Sequence, residues 1–296
     1  MYLFIYLQDN PAAYYITVIL FGLIIGSFLN VLIYRLPKMM MQEWREECRR
    51  LLETASSEEN RKTERFNLVT PGSRCPVCNH RITALENIPV ISYLFLGGKC
   101  SECKSPISFR YPIIEALSAL AALAMAWHFG WSIQALLAIF MSWALIVLSA
   151  IDLEHQLLPD DITLPFLWLG IFANMTLSQP FTDIHSSIIG AMAGYVSLWS
   201  VYMLFKLVTG KEGMGYGDFK LLAMLGAWLG WQMLPLIIIL SSLVGAVAGI
   251  FLILFRKHGR SVPIPFGPYL AAAGWITLLY GEVIMQKYYL WALGTL

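Results

Sequence analysis

The chain has 296 residues, 58% of them hydrophobic and 13% charged, with a mean hydropathy of +0.64. Soluble domains carry about 25% charged residues, so half that share with repeated apolar runs excludes an ordinary soluble enzyme and predicts a polytopic membrane protein. The formal net charge of +1 gives no bulk attraction for nucleic acid, and no nucleic-acid partner is expected.

The N-terminal stretch MYLFIYLQDNPAAYY lacks a basic n-region and a small-residue cleavage site. The first apolar run therefore reads as a retained anchor rather than a removed signal peptide. Eight apolar spans follow in chain order, at roughly 13–35, 112–129, 133–151, 162–178, 184–207, 219–231, 232–255 and 269–286. Most approach the ~20 residues a spanning helix needs. The sixth is short and is divided from the seventh only at GWQMLP; merging the two would leave seven spans. The expected fold is all-α, with about eight transmembrane helices surrounded by lipid. The expected organisation is an N-terminal segment and first helix over 1–35, a polar insert over 36–111, and a membrane-embedded domain over 112–296.

The insert holds four of the five cysteines, as CPVC (Cys75, Cys78) and CSEC (Cys100, Cys103), with 21 residues between the pairs. Two CxxC units at about this separation fit a zinc site, and four thiolates make a closed, structural centre rather than an open catalytic one. A segment this small gains much of its stability from the metal. Free thiols are the alternative, and Cys48, alone in a charged stretch, is expected to do nothing special.

Basic residues set the orientation. With the insert in the cytoplasm and eight spans, nineteen of the twenty Lys and Arg residues fall on or beside that side, leaving Lys287 outside. Both termini are then periplasmic. The segments LSAIDLEHQLLPDDITLP and KLVTGKEGMGYGDFK lie at the cytoplasmic face, which gathers Asp152, Glu154, Asp160, Asp161, Glu212 and Asp218 at one level.

Asp152 follows the run MSWALIVLSAI without a polar spacer, and Asp218 precedes FKLLAMLGAWLG in the same way. An ionised carboxylate at such a boundary is costly and needs a partner, a cavity or a chemical role. The spans offer few basic partners. Two carboxylates facing each other share one proton, and such a pair can activate water with one member and protonate a carbonyl oxygen with the other. The plainer reading of Asp218, Asp160 and Asp161 is helix N-capping. It does not explain Asp152, whose charge at a helix C-terminus opposes the macrodipole. Glu154 and His155 read as loop residues. The glycines Gly213, Gly215 and Gly217 imitate a nucleotide or S-adenosylmethionine loop, but no parallel strand precedes them. Their expected use is a loop near Asp218 with positive φ or close backbone approach, giving a substrate backbone room at Gly215 and Gly217.

Together, IDLEHQLLPD and GYGDFK, with GLIIGSFLNVLIYRLP (22–37), ENIPVISYLFLGGKC (86–100) and ISFRYPIIE (107–115), resemble the bacterial type IV prepilin peptidases, which are GxGD intramembrane aspartyl proteases. The resemblance implies that Asp152 and Asp218 are catalytic and that the substrates are type IV prepilins and type II secretion pseudopilins. It implies residence in the bacterial inner membrane, with the basic leader cut at the cytoplasmic face. Members with the tetracysteine segment resemble bifunctional enzymes that also N-methylate the new terminus from S-adenosylmethionine. The insert would then be the methyltransferase region, and Gly98 matches a family glycine associated with methylation. No donor-binding fingerprint is visible. Two other classes fit parts of the chain: a cation transporter with an aspartate relay, which would need polar residues across the whole bilayer, and a zinc-dependent scaffold, for which the carboxylates would be dispensable.

Overall fold

A computed structural model describes residues 2–52, 66–256 and 265–292. The charged stretch 53–65 lies outside them, as does most of the loop 256–268, including Lys257 and Arg260. The described residues form helices and loops, with no strand beyond two isolated bridges. The chain divides into two compact units, Met1–Ala124 and Met125–Leu296.

In the first unit a short helix α1 (Tyr2–Asp9) precedes α2 (Pro11–Leu52). Asn10 caps α2 by accepting the Ala13 N–H at 3.3 Å, and Pro11 takes the first helical position, where no N–H is needed. The apolar run 13–35 is only the first half of α2. The helix continues through Pro37 to Leu52, because residues 38–52 are mostly strong helix formers. The polar insert expected from residue 36 therefore begins as a continuation of this helix. Arg35, buried at the end of the apolar run, anchors the start of the irregular segment beyond the helix: its guanidinium donates to the carbonyls of Asn67 at 2.8 Å and Pro71 at 2.5 Å.

Residues 66–109 are irregular apart from α3 (Ile91–Phe95), and α4 (Arg110–Phe129) comes next. The helices α2 and α4 meet in backbone contact. A β-carbon at Gly22 or Gly26 would lie 2.7 Å from the Cα of Ala119 or Glu115, the small-residue approach that membrane helices use in place of a hydrophobic driving force.

The second unit contains α5 (Ile133–His155), α6 (Asp160–Thr176), α7 (Ile184–Thr209), α8 (Tyr216–Leu229), α9 (Leu234–Arg256) and α10 (Gly267–Ala292), with a 3-10 turn at Trp231–Met233. Side chains of Ser132 and Asp183 cap α5 and α7. Gln156 and Gly210 end those helices in the left-handed conformation. The separation of the sixth and seventh spans holds: Gly230 at φ +82 and the 3-10 turn break the chain between α8 and α9.

Eleven of the fourteen residues of α8 are buried, so it is the core of this unit and not a lipid-facing helix. At ~1.5 Å per residue it is about 21 Å long, short of the ~30 Å hydrocarbon thickness. It packs against α7 where Gly190 and Gly194 meet the backbone of Gly226 and Leu222. Against α6, Trp228 Nε1 donates to the Phe166 carbonyl at 2.8 Å. The buried Asn174 side chain donates to the carbonyls of Ala227 and Trp228, and its oxygen accepts from the N–H groups of Phe181 and Thr182. All eight expected spans are helical. Six of the described helices are long and apolar enough to cross a membrane, while α6 at 17 residues and α8 at 14 are shorter. The protein is an all-helical, polytopic membrane protein.

Candidate active site and metal centre

Asp152 sits in the last turn of α5 and Asp218 in the first turn of α8. They are 5% and 7% exposed, while Glu154, Asp160 and Asp161 on the same connection are exposed. The two buried carboxylates lie within electrostatic range of each other. Neither forms an ion pair among the described residues. Asp152 Oδ2 accepts the backbone N–H of Gly267, the first residue of α10, at 3.0 Å. Asp218 turns back toward the N–H of Gly215.

Asp218 is not the N-cap of α8. That position is Gly215, whose carbonyl accepts the Asp218 N–H at 3.3 Å. Asp160 and Asp161 do not cap α6 through their side chains either, because Pro159 occupies the cap and both acids fall in the first turn, where the macrodipole favours them. Asp160 instead binds Lys220 of α8, with Nζ–O distances of 2.6 and 2.8 Å. Glu212 is held by Lys206 at 2.8 Å.

The glycine run is used for close approach and not for positive φ. None of Gly213, Gly215 and Gly217 is left-handed. A β-carbon on Gly217 would lie 2.8 Å from Leu158 Cβ, and one on Gly213 would lie 2.8 Å from the Phe205 ring. Gly215 is open, with only Asp218 Oδ2 at 4.0 Å. Leu158 thus packs between Gly217 and Gly267 and links the surroundings of the two acids. Gly267 was missed from the sequence. Its one sequence signal is the Gly-Pro pair opening the last apolar run, a helix-start pattern that carries no chemistry of its own.

In the insert, the two cysteine pairs form two copies of one turn. The N–H of Asn79 donates to the Cys75 carbonyl at 3.0 Å, and that of Lys104 to the Cys100 carbonyl at 3.1 Å. The Cys75 N–H donates to the His80 carbonyl and the Cys100 N–H to the Ser105 carbonyl, each at 2.9 Å. Asn79 and Lys104 both adopt positive φ, 59° and 57°. A bridge closes each copy, Arg74 with Arg81 and Lys99 with Pro106. In each copy the first cysteine is buried and the second exposed.

The four Sγ atoms all lie within 4.8 Å of one another, with 3.8 Å from Cys75 to Cys103 and 3.9 Å from Cys78 to Cys100. These distances are too long for disulfides. They match the ~3.8 Å edge of a tetrahedron with Zn–S bonds of ~2.3 Å. The backbone N–H groups of Cys78 and Val77 hold the Cys75 thiol down to about 6, which favours the ligating thiolate. The residues present fit a metal. Nearby, Glu86 accepts from the N–H and hydroxyl of Thr83 and pairs with His80 at 3.2 Å. Its carboxyl is held down at about 2, with the Ser101 hydroxyl as the leading cause. Gly98 closes the turn before the second copy at φ +67, and a side chain there would meet the Tyr93 hydroxyl at 2.7 Å.

A helical membrane bundle with two buried carboxylates in electrostatic range of each other and a cluster of four cysteines defines a class: a membrane-embedded protein with a buried acidic pair. The Bacterial Peptidase A24 N-terminal domain matches residues 20–129, and the Type IV leader peptidase family matches residues 139–250. Over 96% of both chains the sequence is 54% identical to the prepilin leader peptidase/N-methyltransferase of Pseudomonas aeruginosa. It is 55% identical to that of Aeromonas hydrophila over 94% of both chains. With the protein of the same name from Legionella pneumophila the identity is 42%, over 95% of this chain and 96% of that one. No solved structure matches the chain. The chain belongs to the type IV leader peptidase family.

Proposed function

We propose that this chain cleaves the basic leader from type IV prepilins and type II secretion pseudopilins at the cytoplasmic face of the bacterial inner membrane and then N-methylates the new terminus. Asp152 and Asp218 are the catalytic pair in this reading. The observation that carries it is their burial within range of each other without a basic partner, in a chain similar to prepilin leader peptidase/N-methyltransferases over nearly its full length.

The chemistry rests on the pair. One carboxylate takes a proton from a water molecule, whose oxygen attacks the scissile carbonyl. The other carboxyl donates its proton to the carbonyl oxygen. Collapse of the tetrahedral intermediate then delivers a proton to the departing amine. Water attacks directly, so no acyl-enzyme forms. The Gly267 N–H occupies Oδ2 of Asp152 and leaves Oδ1 for water. The open flank of Gly215 leaves space for an unwound substrate backbone beside Asp218.

Residues 36–111 form the cytoplasmic, methyl-transferring region, stapled by zinc on Cys75, Cys78, Cys100 and Cys103, and residues 112–296 form the peptidase. Both termini are periplasmic. S-adenosylmethionine supplies the electrophilic methyl group. Incubating the purified protein with a prepilin and labelled S-adenosylmethionine tests the reading. Mass spectrometry should show a shortened pilin carrying one methyl group. An intact leader would overturn the peptidase assignment, and a shortened but unmethylated pilin would overturn the methyltransferase.

A further inference from the structure

The first unit contains a buried carboxylate of its own, besides the aspartate pair of the second unit. Glu115, in the second turn of α4, is 8% exposed and accepts the Val90 N–H at 2.8 Å. Among the described residues it is in no ion pair. The backbone that presents the Val90 N–H is unusual. Val90 has φ 60 and ψ −46, and the Ile91 N–H reaches back to the Pro89 carbonyl at 2.6 Å. This is the rare positive-φ form of the γ-turn, on a β-branched residue that resists it. Such outliers persist where the surroundings over-determine them, and they concentrate at functional sites.

Other acceptors lie on the elements packed against Glu115, whose Cα a β-carbon on Gly26 of α2 would meet at 2.7 Å. The Ser27 hydroxyl lies within reach of Glu115 and donates to Asn87 Oδ1 at 3.4 Å. One turn further along α2, Asn30 is 3% exposed. Its amide nitrogen donates to the carbonyls of Gly26 and Tyr111 at 3.3 and 3.1 Å, and Tyr111 is one turn before Glu115. Its Oδ1 is buried without any hydrogen-bond partner, a state that costs free energy unless a donor arrives. A carboxylate without a cation, a buried amide oxygen without a donor and a second amide oxygen at the rim together ask for one compact group with several N–H donors and a positive charge.

We propose that Glu115, Asn30 and Ser27, on the helices α2 and α4 that flank the methyl-transferring insert, and Asn87 of the insert itself form a binding site for an α-ammonium group, used in the methyl-transfer half of the function proposed above and resting on that reading. Two molecules of that reaction carry such a group: the freshly cut pilin, at its new N-terminus, and the amino-acid end of S-adenosylmethionine. A primary ammonium presents three donors from a single atom.

The test uses the full-length protein and its variants Glu115→Gln, Ser27→Ala and Asn87→Ala. Three quantities are measured: leader cleavage, methyl transfer to a pilin that has already been cut, and calorimetric binding of S-adenosylhomocysteine, which keeps the ammonium but has no methyl group to give. Glu115→Gln should lower methyl transfer about tenfold or more, the size of a lost charge-assisted hydrogen bond. Cleavage should stay within about twofold, since the pilin amine does not exist before the cut. If the ammonium belongs to the donor, S-adenosylhomocysteine affinity falls by the same factor. If it belongs to the pilin, that affinity is unchanged and the KM for cut pilin rises.

Unchanged methyl transfer in Glu115→Gln, or parallel loss of cleavage and transfer, overturns the site. Should Glu115→Gln not insert, the two rim variants carry the same test, and full transfer in both overturns it. Wild-type protein that cuts but transfers no methyl group refutes the methyltransferase reading itself, and this site with it. That result is distinct from a wild type that methylates and a Glu115→Gln variant that methylates equally well.

Discussion

The backbone N–H of Gly267 donates to Oδ2 of Asp152 at 3.0 Å, a contact between residues 115 positions apart in the chain. It pins one of the two buried carboxylates to the start of α10, and it does so where no side chain fits. A β-carbon on residue 267 would lie 2.6 Å from that same oxygen and 3.2 Å from both methyl groups of Leu158.

Gly267→Ala should therefore displace the Asp152 carboxylate while leaving the substrate-binding surface largely intact. The expected result is a fall in kcat for leader cleavage on the order of 10- to 100-fold with little change in KM. Steady-state cleavage of a purified prepilin checks this. Cleavage at the wild-type rate would mean that the Gly267 contact does not position the acid.

Asn174 is the joint between α6, α8 and the loop after α6, with all four of its hydrogen bonds made to backbone groups. Asn174→Ala leaves buried backbone groups without partners and opens a cavity. It should destabilise the second unit by about 2–4 kcal/mol without touching either carboxylate. Thermal unfolding in detergent should show a lowered Tm, and residual folded protein should cleave prepilin at a near-normal rate per active molecule.

The tetracysteine centre predicts about one zinc ion per chain in purified protein. Cys75→Ser or Cys100→Ser removes a ligand whose backbone carbonyl and N–H both tie its turn together. Metal content should fall toward zero and the insert should become sensitive to proteolysis. Methyl transfer should decline before leader cleavage does. Elemental analysis with limited proteolysis reads the outcome, and full metal content in both variants would contradict the assignment.

How far the sequence reached depended on the kind of signal. Apolar runs located α2 and α4 through α10, and the two CxxC units located the cysteine cluster, because both patterns are local. The acids were legible for the same reason: a carboxylate abutting an apolar run is conspicuous on its own. The partner of Asp152 was not, since Gly267 brings only a backbone N–H from a distant helix start, and one glycine among 22 carries no mark of that role. The continuation of α2 to Leu52 was hidden because composition changes at residue 36 while helix propensity does not. The capping roles expected of Asp160 and Asp161 failed for one local and one tertiary reason. Pro159 occupies the cap, and Lys220, supplied by α8, takes Asp160 instead. Of the two uses expected of the glycines before Asp218, positive φ and close approach, Gly213 and Gly217 show the second, against Phe205 and Leu158.

The central claim is that Asp152 and Asp218 work as one unit on one water molecule. The most direct measurement is single-turnover leader cleavage by Asp152→Asn, Asp218→Asn and the double variant, each confirmed to be inserted and zinc-loaded. Groups that act together are strongly non-additive. Each single variant should lose cleavage by about 1,000-fold or more, and the double variant should lose little beyond that. Substantial cleavage by either single variant, or losses that simply multiply in the double variant, would contradict the account.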